Sequence, residues 1–527
     1  MTEKSTQAPG YADEAAPAVT PTSVIGDVQM HAVIDIAEKT RGVEHDDAAE
    51  LFLGEDGGVF EYTQDEARRV LRKLDLILLP VMMVSYLLSF IDKAALSNAS
   101  ILGIRTDDHL VGQQYSWVSA IFYFGYLVAQ YPSSVLMQKL PIGRYFGVMI
   151  VFWGLCSTLT VVTTNFATLA VARFFLGCFE TCISPVLTIF VGQYWTRREQ
   201  PLRACVWWMG APVGGFIIDG LAYSITGPSW GGGKYTQWQV LYLIWGPLTM
   251  GWGVLLFFVL PNSPMKAWFL SERERKVAVM RVITNHTGIE NRHYRTYQVV
   301  ECLKDVQAWA FFSLALLQCI VGSGLTNFDK IVLTGLGYDD HESTKASFGG
   351  DGVQLASLII AGCVTNFFRN ARLVSSIASN AVVLLGSLLV YCLPKDNIHG
   401  RQGGLYIMFV NTVTYIMVMS LLASNIGGFT KKATCAVMVF VGYAVGQIIA
   451  PQFFLASESP TYPTGFRAFY VSTALMIVIQ SALLLYLRWE NARRDRISAA
   501  LDHEEQADAA AFLDLTDKEQ PGFRYIY

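Results

Sequence analysis

The sequence predicts an all-α membrane protein with twelve transmembrane helices in two six-helix halves. Three observations lead there. Hydrophobic residues make up 52% of the 527-residue chain and charged residues only 16%, against roughly 25% charged in ordinary soluble proteins. The apolar residues gather in about twelve blocks of roughly 20 residues, each long enough as a helix to cross a hydrocarbon core of about 30 Å. The Lys and Arg residues of the short connecting loops fall mainly on alternate loops, as the positive-inside rule requires. A mean hydropathy of +0.36 is too apolar for a soluble multidomain enzyme of this length.

Residues 1–66 read as a disordered tail, rich in Ala, Pro, Thr and acids, with Lys4, Lys39 and Arg41 as its only bases before position 60. They show no apolar periodicity. No basic-then-apolar start precedes the first span, so that span is expected to act as its own insertion signal. The first half, 67–260, holds spans at about 74–102, 117–137, 145–162, 169–194, 202–225 and 240–260. The second, 306–489, holds spans at about 308–328, 353–369, 373–393, 405–423, 433–451 and 469–489. A charged connector, 261–305, separates them, and residues 490–527 form a second tail. Within the connector, Ser271 precedes Glu274 by three residues, the spacing of a helix capping box. It predicts a surface helix linking the halves.

One set of loops carries Arg68, Arg69, Arg72, Lys73, Lys139, Arg144, Arg197, Arg198, Arg203, Arg369, Arg372, Lys431, Lys432 and the Arg cluster at 488–496. The opposite loops carry only Arg105, Lys234, Lys330, Lys345, Lys395, Arg401 and Arg467. Both tails and the connector are therefore expected in the cytoplasm. The sequon at Asn285 would then lie on the wrong side for glycosylation.

Composition excludes several functions. A formal charge of -4 leaves no basic footprint for nucleic acid. The nine cysteines are scattered singly, without disulfide or zinc spacing. The eight histidines fall outside the apolar blocks, which argues against a membrane-embedded haem or di-iron centre. No metal, no cofactor and no enzymatic nucleophile–base set is expected.

Ionisable residues inside spans cost at least about 2.5–3.5 kcal/mol at the bilayer centre, so they are functional candidates. Asp92 and Lys93 lie in the first span and Arg173 and Glu180 in the fourth. Seven residues make about two helical turns, so Arg173 and Glu180 share a face, whereas adjacent Asp92 and Lys93 diverge by about 100°. Chemically, cationic heads suit an anion and a carboxylate suits a coupling proton. The alternative is a structural ion pair, Arg173 with Glu180 or Asp92 with Lys93. Asp219, near the outer end of the fifth span, is a fifth candidate. Among polar residues at depth, Asn327 and Gln447 are candidates for lining a cavity, and interhelical hydrogen bonds are the alternative. Gly125, Gly210, Gly214, Gly215, Gly442 and Gly446 are read as close-packing positions.

Two sets of six spans around a cytoplasmic connector resemble the major facilitator superfamily, and particular segments resemble its fungal allantoate permease family of anion:cation symporters. They are Tyr-Leu-Leu-Ser-Phe-Ile-Asp-Lys at 86–93, Ala-Arg-Phe-Phe-Leu-Gly-Cys-Phe-Glu at 172–180 and Tyr-Trp-Thr-Arg-Arg-Glu-Gln-Pro-Leu-Arg at 194–203. Asn-His-Thr-Gly-Ile-Glu-Asn-Arg at 285–292, Leu-Thr-Asn-Phe at 325–328, Ala-Pro-Gln-Phe at 450–453 and Phe-Arg-Tyr at 523–525 complete the set. The resemblance implies a proton-coupled importer of a small organic anion, allantoate or a related ureido or carboxylic acid. It also implies a monomer in the plasma membrane, driven by the proton gradient and working by alternating access. By that likeness Asp92 and Glu180 are proton-linked, Lys93 meets the substrate carboxylate and Arg173 supports substrate binding and coupling.

The departures are specific. The family's first-span pair is Asp-Arg and here it is Asp92-Lys93, which lacks arginine's bidentate fork. Leu140 stands three residues before Gly143-Arg144, where the superfamily often has Asp. Gly-Ala-Pro-Val-Gly-Gly at 210–215 is reminiscent of the motif of proton-coupled exporters, which keeps export of a small acidic metabolite or drug as the alternative. A non-transporting nutrient sensor is a third reading.

Overall fold

In the computed structural model the described residues are 62–196, 199–226, 234–283, 295–368, 370–394, 396–500, 516–520 and 523–527. The N-terminal tail before residue 62, Arg197, Arg198, Arg369, Lys395 and the Asn285 sequon lie outside them. Among the described residues all regular structure is helical.

Twelve long helical segments follow one another. They are α1 (Gln64–Ile101), α2 (Gln114–Lys139), α3 (Ile142–Leu159), α4 (Phe166–Glu180 continued by Ile183–Tyr194) and α5 (Gln200–Trp208 continued by Gly210–Thr226). Next come α6 (Gln237–Val259), α7 (Val306–Gly335), α8 (Asp340–Phe367) and α9 (Arg372–Cys392). The last are α10 (Ile398–Met408 continued by Thr412–Asn425), α11 (Phe429–Ile449) and α12 (Pro463–Ala500). Eleven of them are long and apolar enough to cross a membrane. The remaining one, α2, is 26 residues long but is diluted by Gln130, Pro132, Ser133 and Ser134. Large apolar side chains cover the outside: Leu76, Tyr131, Phe258 and Phe367 are each more than 70% exposed. Such a surface is stable only against lipid.

Helices in lipid gain little by hiding apolar surface and must instead fit closely. At the α2–α4 crossing Gly125 lies on the carbonyl of Phe174 and Gly177 on that of Phe122, and a Cβ at either would sit 2.0 Å from that oxygen. α3 packs on α6 in the same way through Gly147 and Gly253. The expected close-packing glycines behave accordingly: Gly210 and Gly214 meet α1, and Gly442 and Gly446 meet α7. Gly215 meets a side chain, that of Asp351.

The connector contains the expected surface helix, Glu272–Ile283. Its capping box is formed: the Ser271 amide donates to Glu274 (3.0 Å) and the Glu274 amide to Ser271 Oγ (3.3 Å). Lys73 of α1 pairs with Glu274 at 2.7 Å. That ion pair and the cap hold the Glu274 carboxyl below its usual range. On the same side Arg203 pairs with Asp75 and Arg281 with Glu199, each at 2.7 Å.

Several boundaries differ from the sequence reading. α7 runs to Gly335, so Lys330 is a buried helical residue, 3% exposed, and not a loop cation. α8 begins at Asp340, which takes in Lys345, Asp351 and His341; one histidine therefore does lie in a span. Arg401 is inside α10, 7% exposed. Polar residues depressed the hydropathy of these stretches, but Lys330 finds two carboxylates and Arg401 a backbone carbonyl in the tertiary structure, so the helices continue. The last helix also outruns the predicted boundary at 489. Residues 516–520 and 523–527 return to pack on it, with Arg494 donating to the carbonyls of Asp517 and Phe523 and to the Tyr525 hydroxyl.

Candidate functional site

The four intramembrane charges of the first half meet, in a crossed pairing that neither sequence alternative anticipated. Lys93 pairs with Glu180, and Arg173 stands 4.0 Å from Asp92. The crossing follows from helix geometry. Asp92 and Lys93 point about 100° apart on α1, so one faces α3 and α6 while the other faces inward. Arg173 and Glu180, two turns apart on one face of α4, supply a partner at each level.

The Asp92–Arg173 level is closed. Asp92 is 4% and Arg173 3% exposed. Ser157 of α3 donates to Asp92 Oδ1 (2.7 Å) and Arg173 donates to the Tyr242 hydroxyl of α6 (2.6 Å). Asp92 Oδ2 and Arg173 Nε have no hydrogen-bond partner. A small void lined by Lys93, Arg173, Phe122 and Asn327 separates this level from the centre. Asn327 donates to the Ser323 carbonyl of its own helix at 2.9 Å, and Gln447 lines the main cavity instead.

The Lys93–Glu180 level is open to that central cavity. Ser89, one turn before Lys93 on the same face, donates to Glu180 and accepts from Lys93 at 2.7 Å. Lys93 keeps 23% of its side chain exposed, and Glu180 1%; the ammonium is the more accessible charge of the pair. Across the cavity the second half offers Gln318, Gln354, Asn411 and Gln447. Gln354 Oε1, Asn411 Nδ2 and Gln447 Oε1 have no hydrogen-bond partner. Tyr86, Tyr123, Tyr126, Tyr415 and Tyr443 complete the wall.

Closure is unequal at the two ends. Toward the connector the lining ends in aromatic contacts, with Trp208 at 5.4 Å from Tyr415 and Tyr126 at 6.3 Å from Tyr443 between ring centroids. On the opposite side the halves are joined by directed polar bonds. Tyr115 donates to the Asn327 carbonyl (2.8 Å), the Ala456 amide donates to Gln113 (3.1 Å), and Thr226 bonds His341 (3.0 Å). Asp219 of α5 pairs with Lys330 of α7 at 2.8 Å. Asp219 is thus 2% exposed, a buried cross-half residue and not one reaching the outer interface.

Sequence reasoning passed over Lys330, Asp329 and Asp351, which lay in presumed loops, and Gln354 at a presumed helix start. The apolar run Ile-Val-Leu immediately after Lys330 was the signal that the seventh span continues. Ser89, Ser157 and Tyr242 carried no signal, because a lone hydroxyl in an apolar block is ordinary. Among the described residues no group of His, Cys, Asp and Glu is arranged to hold a metal ion.

Comparisons with known proteins agree with this architecture. A family model described as Major Facilitator Superfamily matches residues 82–451. An uncharacterized transporter of Schizosaccharomyces pombe is 35% identical over 485 residues, covering 91% of this chain and 90% of that protein. The allantoate permease of Saccharomyces cerevisiae is 33% identical over 485 residues, covering 90% of this chain and 89% of the permease. The crystal structure of a D-xylose-proton symporter superposes with a TM-score of 0.58 at 10% identity, covering 76% of this chain and 96% of that one.

Proposed function

The chain belongs to the Major Facilitator Superfamily, and on that premise we propose that this transporter imports a small organic anion together with protons. Allantoate or a related ureido or carboxylic acid is the proposed cargo. The carrying observation is the asymmetry of the central cavity: a partly exposed ammonium, Lys93, on one wall and orphaned amide atoms on the other. A carboxylate fits the first, and a ureido group, which has both donors and acceptors, fits the second. The similarity to allantoate permease over nine-tenths of each chain supports the same class.

The mechanism follows from the two levels. In the empty cavity Lys93 is neutralised by Glu180. An incoming carboxylate competes for that ammonium, and Glu180, left in a dry site, takes a proton. Protonation of Asp92 or Glu180 and anion binding at Lys93 thus belong to one event, which permits the halves to rock about the midplane site. Arg173, behind Asp92 and bonded to Tyr242, supports that coupling and is not a lining residue of the central cavity. Lys93 binds as a point charge and not as a fork, which favours small acids of varied shape.

We place the protein as a monomer in the plasma membrane with both termini cytoplasmic, on the Lys/Arg distribution of its loops, and with the proton gradient as its only driving factor. The test uses purified protein in liposomes under an inward proton gradient, with labelled allantoate and a panel of small carboxylates. Wild type is expected to accumulate label, and Asp92→Asn and Lys93→Ala are expected to lose gradient-driven uptake. Net export against the proton gradient would replace import by exchange, and unaltered uptake by both variants would remove the site.

A further inference from the structure

The outer closure contains more negative charge than its one cation can balance. Lys330 is flanked by Asp219 at 2.8 Å and Asp329 at 2.9 Å. Both oxygens of each accept a bond. Asp219 also receives Asn98 of α1 (2.9 Å), and Asp329 receives Ser97 of α1 (2.7 Å) and Ser347 of α8 (3.4 Å). A third carboxylate, Asp351 of α8, is 5% exposed and lies against Gly215, one helical turn before Asp219 on α5. Its Oδ2 has no hydrogen-bond partner. With all three ionised, one ammonium would face three carboxylates in a buried interface. An uncompensated buried charge is not tolerated at that cost.

We infer that Asp351 is a second proton-binding site, loaded when the outer side closes and emptied to the outer water when it opens. The donors identify the holder: Asp219 and Asp329 accept bonds on both oxygens, whereas Asp351 is the carboxyl that loses least by being neutral. The contact also explains why position 215 is glycine. A Cβ there would sit 2.3 Å from the Asp351 carboxylate, so a side chain at 215 would displace that carboxyl group from its place between α5 and α8. Opening the outer side parts α5 from α8, wets Asp351 and releases its proton. Closing requires that proton back, so an acidic exterior favours the turn inward. The site is separate from Asp92 and Glu180. It draws its meaning from the alternating-access reading, but its test needs no substrate.

The groups facing Asp351 are Asp219 from α5 and Asp329 and Lys330 from α7; Tyr406 of α10 lies against Gly349, two residues before it, and His341 is further along α8 itself. His341 stacks on Tyr223 with ring centroids 4.0 Å apart, and histidine as a residue type can act as a pH switch, so it needs its own control. The experiment is a spin-label distance measurement across the outer side in lipid nanodiscs, as a function of pH. The labels are placed at Val111→Cys and Ser457→Cys, both exposed positions, with the exposed Cys363 and Cys392 replaced by serine. Wild type is expected to populate the short distance at acid pH and progressively the long one as pH rises. Asp351→Asn, a fixed mimic of the protonated acid, is expected to keep the short distance throughout. Asp219→Asn removes a neighbouring negative charge and a cross-half tie, and moves the transition to lower pH. His341→Gln leaves it in place.

A pH-independent wild type, a wild-type transition in Asp351→Asn, or loss of the transition in His341→Gln overturns the assignment. So does closure that follows sodium and not pH when sodium is exchanged for choline. If Asp351→Asn does not fold, Asp219→Asn decides alone, and an unmoved transition there overturns the site. Failure of the uptake test with an intact pH transition would strike Lys93 and Asp92 and leave Asp351 standing.

Discussion

Arg173 and Asp92 show how much a single buried charge depends on its partner. Each is nearly inaccessible, and their side chains stand 4.0 Å apart, with Ser157 and Tyr242 supplying the shorter bonds. Removing one member leaves the other charged and buried, a loss of about 3–5 kcal/mol, whereas replacing both with apolar residues of similar size is often neutral. Arg173→Leu alone is therefore expected to lower the thermal midpoint of the purified protein sharply. Arg173→Leu with Asp92→Leu should recover most of it while transport stays absent. If the double variant transported normally, the pair would be structural packing and nothing more.

At the scale of elements, the surface helix Glu272–Ile283 is tied to α1 by the ion pair of Lys73 with Glu274. Glu274 has its acidity strengthened by that bond and by the cap. A carboxyl with a lowered value in the folded state stabilises it above the ordinary carboxylate range, and the contribution fades as pH falls through the lowered value. Glu274→Gln should therefore lower thermal stability at neutral pH and in low salt. The difference from wild type should close on acidification and shrink in high salt. A pH-independent difference would assign the effect to the helix cap alone. The capping box itself was legible in the sequence, because Ser271 and Glu274 are local partners. The tie to Lys73 was not, since 201 residues separate the two.

Over the whole molecule the halves are held by directed bonds on one side and by aromatic contacts on the other, which defines the end that must break for the cycle to turn. Cross-linking that end should arrest it. Gln113→Cys with Ala456→Cys, at the two residues that share a cross-half hydrogen bond, should be joined by a short thiol-specific reagent. Transport should stop on joining and return with a reducible linker once it is cleaved. Undiminished transport in fully cross-linked protein would show that these halves do not separate there. The opposite face of the second half is braced differently. Lys431, fully buried, pairs with Glu301, Asp305 and Asp517 at 3.0, 2.7 and 2.6 Å, which joins the connector, α11 and the C-terminal segment.

What the sequence by itself determined was whatever depends on local composition and on one helix at a time. The number and order of the spans, the connector, the packing glycines and the four charges on α1 and α4 all belong to that class. Each follows from hydropathy, a 3.6-residue period or the cost of a charge in lipid. The tertiary structure alone decided which charge meets which. It crossed Asp92 to Arg173 and Lys93 to Glu180, and it drew Lys330, Asp329 and Asp351 from supposed loops into a buried closure with Asp219. The reason is physical: hydropathy scores a charge as if it were alone, whereas the energy of a buried charge is set by its neighbours, and those come from other helices distant in the chain.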